Sequence, residues 1–110
     1  MDRRSSWLKG VLDLLVLAAL TDGESYGYAL AASLDESGFG RIKGGTLYPV
    51  LNRLEEAGLV DAEFRAAEKG PGRRYYHLTD QGREVLADQG AAWLEFDASV
   101  REVLRKGGVR

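Results

Sequence analysis

The sequence predicts a mainly α fold with a small β-hairpin: a winged helix-turn-helix followed by a long C-terminal dimerisation helix. Three observations predict it. Three segments of helical apolar period come first. Two short alternating segments then flank a Gly-Pro-Gly loop. A long closing segment carries a heptad seam. Two units are expected, residues 1–79 as the winged helix-turn-helix and residues 80–110 as the dimerisation helix.

The first helix is expected over residues 6–20, apolar on nearly every side and therefore central. Thr21-Asp22-Gly23 ends it. Ser25 is placed to cap a second helix over residues 26–36, where Tyr26, Leu30 and Leu34 repeat every four residues. Gly38 and Gly40 close that helix. A third helix is expected over residues 45–57, with Leu47, Val50, Leu51 and Leu54 as its buried stripe. At 100° per residue, Pro49, Asn52, Arg53 and Glu56 lie opposite the stripe, and Thr46 and Tyr48 lie on its flanks. Pro49 sits early, where helix amides lack internal partners. Gly58 caps the C-terminus.

Val60, Ala62 and Phe64 alternate with Asp61, Glu63 and Arg65, so the next segment reads as a half-buried strand with the first three inward. A loop over residues 66–72 leads to a second strand over 73–78, Tyr76 and Leu78 inward, Tyr75 and His77 outward. Thr79 is an N-cap and Asp80 complements the dipole of a final helix over residues 80–106. Along it Leu86, Gln89, Trp93, Phe96, Val100 and Val103 are spaced by alternating threes and fours. A helix of that length runs about 40 Å, longer than so small a domain covers, so these six residues are assigned to a homodimer interface.

Composition narrows the function. The chain has 110 residues, 45% hydrophobic and 29% charged, with no Cys and one His. That excludes a disulfide framework, a thiolate zinc site and a cysteine nucleophile, and leaves no ligand set for a metal cofactor. No cofactor is expected. The acidic pairs Glu55-Glu56 and Asp35-Glu36 are adjacent and diverge on a helix, so they make no general acid/base pair; no enzyme activity is expected. The most apolar run, residues 11–20, is interrupted by Asp13 and is too short to span a bilayer. A cytoplasmic protein with no membrane partner is expected. The formal net charge of -2 rules out a strongly basic protein. It does not rule out a local patch: Lys69-Gly70-Pro71-Gly72-Arg73-Arg74 holds three positive charges and no acid. Phosphate attraction acts over about a Debye length, so a local cluster outweighs the net charge.

Three stretches resemble the PadR-type transcriptional regulators. The run from Gly45-Thr46-Leu47-Tyr48-Pro49 through Asn52-Arg53-Leu54-Glu55 to Gly58-Leu59-Val60 is similar to the recognition helix of that family. Gly72-Arg73-Arg74-Tyr75-Tyr76-His77-Leu78-Thr79 is similar to its wing strand, and Tyr26-Gly27-Tyr28 to the start of its second helix. The resemblance covers residues 8–106, and the short last helix matches the compact subfamily. It implies a homodimeric repressor that binds double-stranded DNA at a palindromic promoter operator, without enzymatic activity or cofactor.

The outward face of the third helix reads either as solvated surface or as a DNA-contacting face, and the resemblance implies the latter. Thr46, Tyr48, Asn52 and Arg53 are then the contacts, with Lys43 meeting a phosphate just before the helix. Lys69, Arg73 and Arg74 become wing contacts to the DNA backbone. Trp93, fourteen residues after Thr79, and Asp97, one turn on, occupy places that in compact multidrug-sensing members hold a flat aromatic drug between symmetry mates. The resemblance thus implies a small planar aromatic ligand at Trp93, Phe96 and Asp97. On its own residues Trp93 also reads as an interface knob, Asp97 as a solvated carboxylate, and Phe96 as a side chain that fills the pocket. The alternative function is a winged helix used for protein–protein contact without DNA.

Overall fold

The computed structural model describes residues 3–110, so residues 1 and 2 of the first expected unit lie outside the described residues. Its elements are α1 (Arg3–Lys9), α2 (Leu12–Ala19), β1 (Ser25–Tyr26), α3 (Gly27–Leu34), α4 (Gly44–Glu56), β2 (Val60–Arg65), β3 (Arg73–Leu78) and α5 (Asp80–Lys106). The sheet has the order β1-β3-β2, all neighbours antiparallel. This is a winged helix-turn-helix with a long C-terminal helix, as expected.

The single first helix is corrected to two. Gly10 and Val11 close i to i+3 turns on the carbonyls of Trp7 and Leu8, and Val11 leaves helical geometry at φ -129°, ψ -4°. A helix-interior Gly costs about 1 kcal/mol against Ala, and here it falls beside a β-branched residue. Leu12, Val16, Leu17 and Leu20 are buried, whereas α1 buries nothing completely.

Ser25 does not cap a helix. It extends and pairs opposite Tyr76, while Tyr26 pairs opposite Tyr75. Sheet pairing satisfies backbone groups that a cap would otherwise serve. Helix α3 passes into a π turn, Asp35–Phe39, ended by Gly38 and Gly40 at positive φ.

Helix α4 buries Leu47, Val50, Leu51 and Leu54, the stripe that periodicity assigns. It stops in a Schellman motif: the Leu59 amide donates to Leu54 O and the Gly58 amide to Glu55 O, with Gly58 at φ +77°. Phe64 is corrected from inward to outward and is 64% exposed. It sits where the hairpin has run past the core, and its ring lies against the backbone of Gly72. Tyr76 and Leu78 fill the core from β3; burial raises the Tyr76 phenol pKa above its ordinary value.

Thr79 joins the wing to α5. Its hydroxyl donates to Gly58 O at 2.7 Å and accepts the Gly82 amide at 3.0 Å. Gly82 is the one residue of α5 that is fully buried. A Cβ there would press well inside van der Waals contact on the Leu59 carbonyl. We expect Gly82→Ala to destabilise the fold by about 1–3 kcal/mol, because overpacking against backbone outweighs the ~1 kcal/mol gain in helix propensity. A urea melt in which Gly82→Ala is the more stable protein would contradict this packing.

Beyond Val85 and Leu86, which are half-buried against the core, α5 continues past the core and borders a cleft with Ser6 and Trp7 of α1. The molecule is accordingly elongated, 56 × 31 × 21 Å.

Candidate nucleic-acid interface

The outward face of α4 carries Thr46, Asn52 and Arg53, all exposed, and Lys43 stands exposed immediately before it. Tyr48 is placed differently. Its ring covers Gly27 at the start of α3 and Gly44 at the start of α4: a Cβ on Gly27 would lie 2.5 Å from the Tyr48 hydroxyl, and one on Gly44 3.3 Å from the ring. The two glycines therefore let the tyrosine seat α4 on α3 with about half of its surface still open.

On the wing, the structure separates the three cations. Lys69 is exposed in the loop and is in no ion pair among the described residues. The Arg73 guanidinium stacks on the Tyr26 ring at 4.3 Å. Arg74 donates to Glu55 of α4 at 2.6 Å, and that carboxylate raises the guanidinium pKa further. The local run holds no acid, but the fold supplies one from α4. Arg74 is thus a strut between wing and helix as well as a cation.

The loop end of the hairpin is held by a second set of contacts. Arg65 makes a bidentate pair with Glu24 at 2.6 and 2.8 Å and lies over the Tyr75 ring at 4.4 Å. Tyr75 in turn meets Tyr26 edge to face, centroids 5.4 Å apart. The Arg65 hydrogen bonds hold the Glu24 carboxyl below its ordinary pKa. Because β2 and β3 place Arg65 opposite Arg73, Glu24 also offsets the repulsion of two neighbouring cations.

A shallow cleft of about 310 Å³ lies between α4 and the wing, lined by Tyr26, Tyr28, Tyr48, Gly72, Arg73 and Arg74. It brings Tyr48, Arg73 and Arg74 together. Tyr28, 69% exposed, had no assigned role; its only local signal was the pair of tyrosines around Gly27. Asn52 and Arg53 do not line this cleft and are exposed to solvent.

The ligand candidates also converge. Trp93, Phe96 and Asp97 line an apolar cleft of about 740 Å³ with Trp7 and Gly10 of the N-terminal segment. Phe96 borders the space and does not fill it. Trp7, 65% exposed, was missed because nothing local relates it to a helix some ninety residues on. Asp97 is not a free carboxylate: Arg101 donates to it at 3.0 Å, one turn away. Of the seam, Leu86 is half-buried, while Gln89, Trp93, Phe96, Val100 and Val103 are exposed. Among the described residues no cluster of side chains could hold a metal ion, and no helix is long and apolar enough to cross a membrane.

Comparison with known proteins follows the same lines. The model of the transcriptional regulator PadR-like family matches residues 16–88. A transcriptional regulator of Mycobacterium tuberculosis is 38% identical over 96 residues, 87% of this chain and 85% of that one. The crystal structure of a PadR-like transcriptional regulator from Bacillus cereus superposes with TM-score 0.78 at 35% identity, covering 90% of this chain and 96% of that one. That of a PadR family transcriptional regulator from Eggerthella lenta gives TM-score 0.80 at 37% identity, covering 90% and 86%.

Proposed function

From a chain that belongs to the transcriptional regulator PadR-like family, and is therefore a DNA-binding transcriptional regulator and not an enzyme, we propose a homodimeric repressor. Two copies join through α5, each lays α4 in a major groove of a palindromic promoter element, and a planar aromatic ligand at the dimer interface releases the DNA. Family membership sets aside the protein-contact alternative. Residues 1–79 are the DNA-binding unit and residues 80–110 the dimerisation helix.

One observation carries the reading. Helix α4 buries its whole apolar stripe yet presents Asn52 and Arg53 to solvent, with Arg73 and Arg74 of the wing beside Tyr48 on its flank. A helix that protrudes with such side chains, backed by cations, fits the major groove and its phosphates. Asn52 and Arg53 are the base-edge candidates. Thr46, Tyr48 and Lys43 are phosphate contacts, and Lys69, Arg73 and Arg74 meet the backbone beside the groove.

The test is a titration of the duplex upstream of the chain's own gene, at several salt concentrations, beside a scrambled duplex. Arg73→Ala with Arg74→Ala should lower the slope of log affinity on log salt by roughly 2–3 for a dimer, at ~0.9 per phosphate neutralised. The full value for four phosphates is not expected, because Glu55 already neutralises part of Arg74. Affinity should fall for both duplexes, since the freed Glu55 then faces DNA uncompensated. Asn52→Ala should instead narrow the difference between the duplexes, by about 1–3 kcal/mol for each base edge no longer read. No salt-dependent binding of either duplex by the wild type would overturn the reading.

A further inference from the structure

We propose that Lys9 and Arg41 form a second phosphate grip, on the side of α4 away from the wing, so that each subunit holds both DNA strands that border its major groove. This deepens the reading of α4 as the groove-entering helix and rests on it.

The geometry starts from α4. At 100° per residue, Tyr48 and Glu55 lie on one flank of the outward face, Thr46 and Arg53 on the other, and Asn52 between them. The wing arginines stand on the Tyr48 flank, through the Arg74–Glu55 pair and the shared cleft. A helix in a groove about 12 Å wide has a sugar–phosphate strand on each side. The wing serves only one of them.

The Thr46 flank opens on a different cleft, of about 520 Å³, between α1 and the segment that leads into α4. Arg4, Lys9, Arg41 and Lys43 line it, together with Thr46, and no carboxylate does. Lys9, Arg41 and Lys43 are exposed and form no ion pair among the described residues. Arg4 donates to Gly38 O at 3.0 Å and so ties α1 to the turn that precedes α4. That tie keeps α1, which carries Lys9, beside the segment that leads into α4.

The charge pattern is the second support. The chain has 17 acidic and 15 basic side chains, so a cleft lined by four cations and no carboxylate is not a consequence of composition; Asp35 and Glu36 border the neighbouring cleft that Arg41 and Lys43 also line. Like charges gathered around one concavity repel, and the field they focus attracts an anion. The anion within reach is the phosphate strand next to Thr46. Lys43 is thus part of a row of cations rather than a single contact at the helix start.

The experiment uses the full chain and the same two duplexes, upstream and scrambled. Lys9→Ala with Arg41→Ala changes two exposed side chains, and a melting curve checks that the fold is kept. The expected slope of log affinity on log salt falls by about 3–4 relative to wild type, because each subunit of a dimer releases its hold on two phosphates. Both duplexes should weaken alike, and Lys9→Arg with Arg41→Lys should restore the slope. If the wild type binds DNA with a steep salt dependence and the alanine variant keeps that slope, the second grip is overturned and α4 with its wing still stands. If the wild type binds neither duplex, the grip and the DNA reading fall together.

Discussion

Replacing Phe96 and Val100 with Asp together should convert the protein to a monomer and lower its operator affinity by about 10²–10⁴, the avidity that two linked sites supply. The seam spacing predicts a coiled-coil-like interface, and the structure leaves that face uncovered: Phe96 is 64% exposed and Val103 67%. Up to Leu86 the helix packs on the domain core, and beyond it Trp93, Phe96 and Val100 border the open cleft shared with Ser6 and Trp7. In the dimer the two substitutions would bury four carboxylates with no partners, which costs far more than removal of the apolar packing itself. In the monomer the same carboxylates are solvated, so helicity by circular dichroism should be kept. Sedimentation that finds the double variant still dimeric would show that α5 is not the seam.

The second large effect is expected at Trp93. Titrated with planar cationic dyes, Trp93→Ala should bind about 5- to 150-fold more weakly than the wild type. Aromatic stacking and cation–π attraction to a desolvated indole are worth about 1–3 kcal/mol, and ~1.4 kcal/mol is tenfold. Trp7 lines the same cleft, so its fluorescence also reports binding and it cannot serve as an inert reference. The titration therefore needs Trp7→Phe as a parallel protein, in which Trp93 alone emits. Asp97→Asn should change dye affinity less than Trp93→Ala, because Arg101 already pairs with that carboxylate. A ligand in this cleft touches α1 and α5 at once, and it weakens DNA binding only by its preference for one arrangement of the two recognition helices. Dye binding of equal strength in Trp93→Ala would leave Trp93 as an interface knob.

The parts of this molecule legible in the sequence are those set by local signals. The stripe of α4, the strand Arg73–Leu78 and the span Asp80–Lys106 follow from periodicity and from Thr79 and Gly58 as caps. Where the sequence reading departs from the structure, a distant partner decides the outcome. Ser25 extends because β3 lies beside it, although its local preference is for a cap. Phe64 turns outward because the core ends beneath the hairpin. The candidate site divides the same way. Asn52, Arg53 and the wing cations could be placed from helical angle and charge. The Arg74–Glu55 pair joins residues 19 apart, and the Trp7–Trp93 cleft joins the two ends of the chain, so no local pattern announces either. The break at Gly10–Val11 is an intermediate case: Gly10 is a local signal, but the apolar run that starts at Val11 outweighs it in a reading by periodicity.

The central claim is that two copies place their α4 helices in successive major grooves on one face of an operator. Hydroxyl-radical footprinting of the upstream duplex tests it most directly. The predicted pattern is two related patches of backbone protection with centres about 10–10.5 base pairs apart, or a multiple of that. A single patch, or two patches on opposite faces of the duplex, would contradict it.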